Sequence, residues 1–419
     1  MYEMRLILAL VFWVSLAAMV YSYALYPVMI FVLARAFGRG ATAPLLTESE
    51  TPSISLLIAA YNEQAVIEGR ILNALAMDYP SDRLEIVIAS DGSTDQTVAI
   101  VRRFAGQNVR LLDYRARRGK ASVLNAAAAQ LRNPIVLLSD ANTQTAPDAA
   151  RRLVRWFADP AVGAVCGKLV ITDPSSGGNV DGLYWKYETF LKKQEGRLGA
   201  LLGSNGAIYA IRRELFPVLP AGTIVDDFVI PLLAKQRTGC AIVYDGSAVA
   251  NEESAPDVAA EFQRRARIGA GGWQAIGMLW RLLNPARGWI ALTFFSHKIL
   301  RWLCPFFMIM LLATNFLLVN VTVYRAAVGL QLAFYAAAAV GPRVGRAAPF
   351  GKFLRLAHMF VMMNAALLVG FFRWLSGPQT GAWVRTRRIG EAADPASQAP
   401  STPEAVVQNT AENQATLSP

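Results

Sequence analysis

The chain has 419 residues, 54% of them hydrophobic and 17% charged; a soluble globular chain carries about a quarter charged residues, so part of this apolar surface must face something other than a core. A net charge of +11 asks for an anionic partner, and the apolar excess selects an acidic membrane surface over nucleic acid. Cys166, Cys240 and Cys304 lie far apart and histidine occurs only at His297 and His358, which argues against a disulfide framework, a zinc site and Ser-His chemistry.

Residues 6–33 form an uncharged apolar run, followed by Arg35 and Arg39. The run is too long for a secretory signal, so residues 1–40 read as a retained transmembrane helix. Arginines at its C-terminal end place that end, and the region after it, in the cytoplasm. Residues 41–53 are a polar linker. Over 54–284, short apolar runs alternate with amphipathic stretches. ISLLIAA, LEIVIAS, VRLLDY, PIVLLSD and VGAVCGKLVI have the composition of strands. Helical patterns cover 63–76, with Asn62 as its cap, and 95–105, after Ser93 and Thr94. This alternation predicts an α/β domain built on a mostly parallel sheet covered on both faces.

Residues 285–305 mix His297, Lys298 and Arg301 with aromatics, which suits a helix lying in the membrane interface. Residues 306–376 hold three candidate crossings, at 306–323, 326–340 and 356–375. Residues 377–419 are a basic segment and a tail rich in Ala, Pro, Ser, Thr and Gln, with little to bury, and the tail is expected to be disordered. Arg343, Arg346, Lys352 and Arg355 favour the cytoplasm, and so do the arginines of 383–388. One crossing separates the two groups, so the topology of this end stays open.

Ligands of an open parallel sheet bind beyond the carboxyl ends of the strands. Three of the predicted strands end in Tyr61-Asn62-Glu63, Asp91-Gly92-Ser93 and Asp140-Ala141-Asn142. Asp-Gly-Ser alone is an ordinary turn. The ordered set suits hydrogen bonds to a base and ribose, with a cation held against a diphosphate.

The string SLLIAAYNE, LEIVIASDGSTDQT, RRGKASVLNAA and IVLLSDANT resembles the family 2 glycosyltransferases, inverting enzymes of the GT-A nucleotide-sugar fold. The flanking membrane segments resemble the cellulose, hyaluronan and poly-N-acetylglucosamine synthase branch, over roughly residues 5–388. The resemblance implies that Tyr61, Glu63 and Asp91 contact uridine and that Lys120 lies near the nucleotide. It implies that Asp140 binds Mg2+ or Mn2+ against the donor diphosphate. Asn142 stands where the family has a second carboxylate, either as a donor-site residue or as the start of the next helix. Asp227 aligns with the acid of the Thr-Glu-Asp motif that takes the acceptor proton, and Asp226 with the supporting glutamate; the pair could also cap the helix after it. Gly203, Ser204 and Asn205 fall in the acceptor-side segment, where Gly203, Ser204 and Gly206 are small enough to let backbone approach a sugar.

The Gln-X-X-Arg-Trp motif of processive synthases is altered. Arg267 keeps the diphosphate-binding position, Arg264 replaces the glutamine on the acceptor side, and Ile268 replaces the stacking tryptophan; Trp273 comes further on. Single additions or short products are the expectation. The implied function is transfer from a nucleotide-sugar, a UDP-sugar, to a polysaccharide or lipid-linked acceptor. The enzyme would sit multi-pass in the inner membrane, its catalytic domain facing the cytoplasm. Its partners would be the donor, the glycan or lipid-linked acceptor, the bilayer and other subunits of a synthesis or export complex, with no nucleic acid. The alternatives are a non-catalytic scaffold or nucleotide-sensing subunit, and a transporter with a nucleotide-sensing domain.

Overall fold

A computed structural model of the chain describes residues 2–40, 42–172, 182–253, 258–344 and 350–377. The basic stretch at 383–388 and the tail lie outside the described residues, as does Arg346. The N-terminal run forms one helix, Tyr2–Phe37, of 36 residues. At 1.5 Å per residue that is about 54 Å, well beyond a hydrocarbon core of about 30 Å. A π-turn at Tyr21–Leu25 interrupts it just before Pro27. Proline lacks an N–H and crowds the preceding turn, and a wider turn relieves the clash.

Four helices among the described residues are long and apolar enough to cross a membrane: Tyr2–Phe37, Trp289–Leu317, Thr322–Arg343 and Gly351–Leu375. The boundary expected at residue 305 is not a break. Trp289–Leu317 runs through Pro305, with a π-turn at Phe294–Ile299, because Trp302, Cys304, Pro305 and Met308 are all buried and hold the helix on both sides of the proline.

The expected strands form as β1 (Ile54–Ala60), β2 (Leu84–Asp91), β3 (Val109–Tyr114), β4 (Ile135–Asp140) and β6 (Val162–Thr172). Three more were not foreseen: β5 (Gln144–Thr145), β7 (Tyr209–Arg212) and β8 (Ala241–Glu253). The sheet order is β3-β2-β1-β4-β7-β6-β8-β5. β3, β2, β1 and β4 are parallel, as expected, while β7 runs antiparallel to both its neighbours. The sheet is therefore mixed. A four-residue strand ending in arginine carries too little periodicity to be seen in sequence.

Alternate residues of each strand feed opposite faces, the period-2 rule for a sheet. Leu57, Val87 and Val136 join one core, and Leu56, Ile86 and Leu137 the other. The first core also contains Tyr26, Ile30 and Ala34, all fully buried. The last turns of the N-terminal helix are thus built into the sheet domain. In register, Ala59 faces Asp140, Ala60 faces Ser90, and Asp91 faces Tyr114, so the polar strand ends lie along one edge.

Candidate active site

The loops after β1 and β2 are laced together. Asn62 is not a helix cap: the next helix, Ile67–Leu75, starts later with no side-chain cap. Asn62 adopts a left-handed conformation, its Oδ1 accepts from Thr94 N at 2.8 Å, and its Nδ2 donates to Thr94 Oγ1 at 3.2 Å. The Glu63 amide donates to Thr97 Oγ1 at 2.8 Å. Arg117 lies over the Tyr61 ring at 3.9 Å. Asp91 has no exposed surface; its carboxylate accepts from the amides of Arg118 (2.6 Å) and Gly119 (2.9 Å). Beyond the nucleotide contact expected of it, Asp91 therefore holds the 115–119 loop over the strand ends.

That loop starts the helix Lys120–Ala128, and Lys120 reaches back into the site. Its Nζ lies 2.8 Å from Asp140 Oδ1 and 3.2 Å from Asp226 Oδ1. Burial alone would lower the Lys120 ammonium; Asp140 and Asp226 outweigh it and hold the pKa well above its usual value. Asp140 closes β4. Asp226 and Asp227 are the first two residues of the helix Asp226–Thr238, where the helix dipole favours negative charge. Burial, then Asp226, pushes the Asp227 carboxyl up to about 6. Burial also raises Asp226, with Asp140 adding to it and Lys120 opposing.

The segment 203–206 is moulded around Asp227. Ser204 donates twice to the Asp227 carbonyl, from N at 3.1 Å and Oγ at 2.7 Å. The Gly206 amide donates to Asp227 Oδ2 at 2.9 Å. A methyl on Gly206 would sit 2.9 Å from Asp140 Oδ2 and 3.7 Å from Asp227 Oδ2; one on Gly203, whose φ is +75°, would sit 2.9 Å from the Phe228 ring. These small residues were expected to admit a sugar, and here they admit the Asp227 carboxylate and its neighbour. Asn205 donates to Gly167 O at 3.0 Å and accepts from Lys192 Nζ.

Asn142 does not start a helix; it is exposed in the turn between β4 and β5. Glu252, at the end of β8, was missed. The pairing of Gln144 with Asn251 brings it beside that turn, where Thr143 Oγ1 donates to it at 2.7 Å. Burial, then Asp140, pushes the Glu252 carboxyl up to about 7. Nothing local in sequence marks it, because it depends on a two-residue strand.

The helix Val258–Leu279 brings Arg267 to the same side. Its side chain is exposed, and Asp226, Asp140 and Asp227 all act on its charge. Arg264 is paired with Glu261 through two bonds of 2.8 and 2.9 Å. Gln274 accepts from Ile224 N at 3.2 Å and donates to Gly222 O at 3.1 Å, and Gly271 fits against Ile224. The helix carrying Arg267 thereby braces the loop that leads into Asp226 and Asp227. Trp273 packs on Phe371 (4.9 Å between ring centres) and Trp374 (6.1 Å), within the helix interface.

Residues 55–217 match the family described as Glycosyl transferase family 2. The chain carries a family 2 glycosyltransferase domain. Beta-monoglucosyldiacylglycerol synthase of Synechocystis sp. is 31% identical over 283 residues, covering 62% of this chain and 58% of that protein. Poly-beta-1,6-N-acetyl-D-glucosamine synthase of Staphylococcus aureus is 35% identical over 135 residues, 32% of each chain. The chain thus spans under two thirds of the length of either relative. The mannosyltransferase PcManGT from Pyrobaculum calidifontis, solved with GDP-Man and Mn2+, has a TM-score of 0.68 at 22% identity and covers 87% of this chain and 99% of that one. That likeness is one of fold: the glycosyltransferase domain is GT-A.

A hard divalent cation fits the cluster at Asp140. The donors are oxygens, and Asp140, Asp226, Asp227 and Glu252 set four carboxyl groups against the two cations Lys120 and Arg267. Among the described residues no three acidic, histidine or cysteine side chains stand ready to enclose a metal. One or two protein ligands plus donor phosphates is the pattern of Mg2+ in phosphate sites.

Proposed function

We propose that this chain is an inverting glycosyltransferase that moves a sugar from a UDP-sugar to the hydroxyl of a lipid-linked or polysaccharide acceptor at the cytoplasmic face of the inner membrane. The observation that carries this is the meeting of Asp140, Lys120, Asp226 and Asp227 beside Gly206. Tyr61, Glu63 and the loop fixed by Asp91 form the nucleoside side. Lys120 and Arg267 bind the diphosphate as cations. Asp140, and Asn142 beside it, would hold Mg2+ or Mn2+, whose chemistry is to neutralise the departing diphosphate.

The acceptor oxygen attacks the anomeric carbon, the carbon–oxygen bond to the diphosphate breaks with its electron pair, and Asp227 takes the acceptor proton. A base whose pKa lies near the working pH suits that task. Asp226 keeps Lys120 in place. Gly203, Ser204 and Asn205 set the position of Asp227, and Arg264 lines the acceptor side. A lipid-side acceptor agrees with the N-terminal membrane helix entering the domain core, and with the diacylglycerol in the name of the Synechocystis relative. Purified protein incubated with a panel of UDP-sugars and Mn2+ should release UDP from at least one. No release from any, with lipid and glycan acceptors supplied, would remove this function.

A further inference from the structure

Tyr209 opens β7, opposite Leu138 of β4 on one side and Cys166 of β6 on the other. Side chains two apart along a strand share a face, so Leu138 and Asp140 point the same way. β7 and β4 are antiparallel, which makes Asp140 the diagonal neighbour of Tyr209, a spacing of about 7–8 Å that an aromatic side chain can reach across. On that face Tyr209 shares its core with Ala121 and Leu124, and with Val229 and Ile230. These belong to the helices that begin with Lys120 and with Asp226. The tyrosine thus lies beneath the ion pairs that Lys120 makes with Asp140 and Asp226.

Tyr209 is 1% exposed, and among the described residues its hydroxyl has no hydrogen-bond partner. Burying a hydroxyl without a partner is costly, and a phenylalanine would fill the same space without that cost. The hydroxyl therefore asks for a partner in another state of the enzyme. Burial, then Asp226, Asp227 and Asp140, hold its pKa far above the usual tyrosine value, so it keeps its proton and can donate it to a hydrogen bond. Lys120 defines when that bond is needed. Here its ammonium covers Asp140 at 2.8 Å and Asp226 at 3.2 Å, whereas the proposed function gives the same ammonium to the donor diphosphate. A lysine drawn to the diphosphate leaves Asp226 beside Asp227, and two adjacent buried carboxylates are costly without a donor.

We propose that Tyr209 is a positioning residue whose hydroxyl takes the place of Lys120 at Asp226 when the donor diphosphate draws the lysine away. This rests on the nucleotide-sugar function proposed above. The exchange frees the ammonium for the departing diphosphate and keeps Asp226 hydrogen-bonded, while Gly206 keeps its hold on Asp227. A hydroxyl donating to a carboxylate makes a charge-assisted bond of the stronger class.

The test measures binding, separately from turnover. The full-length protein in neutral detergent is titrated with UDP in the presence of Mn2+, as wild type, Tyr209→Phe, Lys120→Met and the double variant, and each ligand-free protein is melted. Phenylalanine keeps the ring and removes only the hydroxyl. Ligand-free Tyr209→Phe should melt at or above the wild-type temperature, because the hydroxyl has no partner there. Its UDP affinity should fall at least about tenfold, the scale of a hydrogen bond to a charged group. Lys120→Met has no ammonium to exchange, so adding Tyr209→Phe to it should change UDP affinity by no more than about twofold, the scatter of independent sites. A purely structural tyrosine would show no such dependence on Lys120. Unchanged UDP affinity in Tyr209→Phe, an equal loss with and without Lys120, or a ligand-free Tyr209→Phe protein that melts well below the wild type overturns the exchange. A wild type that binds no UDP would instead overturn the function on which the exchange rests.

Discussion

Gly206 donates its amide proton to Asp227 Oδ2 at 2.9 Å and leaves open the space in which Asp140 Oδ2 lies. One glycine thus spaces the proposed base from the proposed cation ligand. Gly206→Ala would put a carbon 2.9 Å from Asp140 Oδ2, closer than non-bonded atoms tolerate, so Asp140 or the segment must shift. Such displacements near a reacting centre can cost about 10²-fold. Turnover should fall by about that order while thermal stability changes little; a Gly206→Ala variant with normal turnover would show that the two carboxylates do not cooperate.

The raised pKa of Asp227 sets a pH dependence. A base must be unprotonated, so kcat/KM should be low below pH about 6 and rise through it. Lys120 opposes the upward shift, so Lys120→Met should move this limb to higher pH as well as weaken UDP binding. The measurement is the pH profile of kcat/KM for both proteins. A limb that stays in place in the variant would mean that Lys120 does not act on the base.

The proposed cation dependence rests on the carboxylates gathered around Asp140. EDTA should abolish UDP release, Mn2+ or Mg2+ should restore it, and Asp140→Ala should prevent the rescue. Full activity in chelator would assign the diphosphate to Lys120 and Arg267 alone.

Product length depends on the residues that face the acceptor. Ile268 stands in place of a stacking tryptophan, and Trp273 is committed to Phe371 and Trp374 in the helix interface. Single additions or short chains are expected on sizing the product; long polymers would show that another surface holds the growing glycan.

Much of this was legible in the sequence. β1, β2 and β4 are largely apolar runs that lead into acids, and their parallel order brings Asp91 and Asp140 to one edge. The doublet Asp226-Asp227 lies beyond the matched family segment and opens the helix Asp226–Thr238, the helix that the sequence offered it to cap. What escaped depends on contacts distant in the chain. Glu252 reaches the site through the two residues of β5, and Asn62 serves the neighbouring loop at Thr94 rather than its own helix. The segment 203–206 was singled out for approach to a sugar, and only the fold shows that it closes on Asp227. The glycines of Val258–Leu279 gain their reason from the fold, where Gly269, Gly271 and Gly272 fit against Leu367, Ile224 and Trp302.

The two neighbouring acids give the most direct measurement. Asp226 faces Lys120, whereas Asp227 is held by Gly206 with its carboxylate toward the space beside Asp140. Asp227→Asn keeps the shape but cannot accept a proton, and general-base catalysis contributes about 10²–10⁴-fold. UDP release and UDP binding, measured on the same folded preparations, should show Asp227→Asn slowed by at least that order with UDP affinity close to wild type, and Asp226→Asn slowed less. Normal turnover in Asp227→Asn, or Asp226→Asn as the inactive variant, would contradict the account.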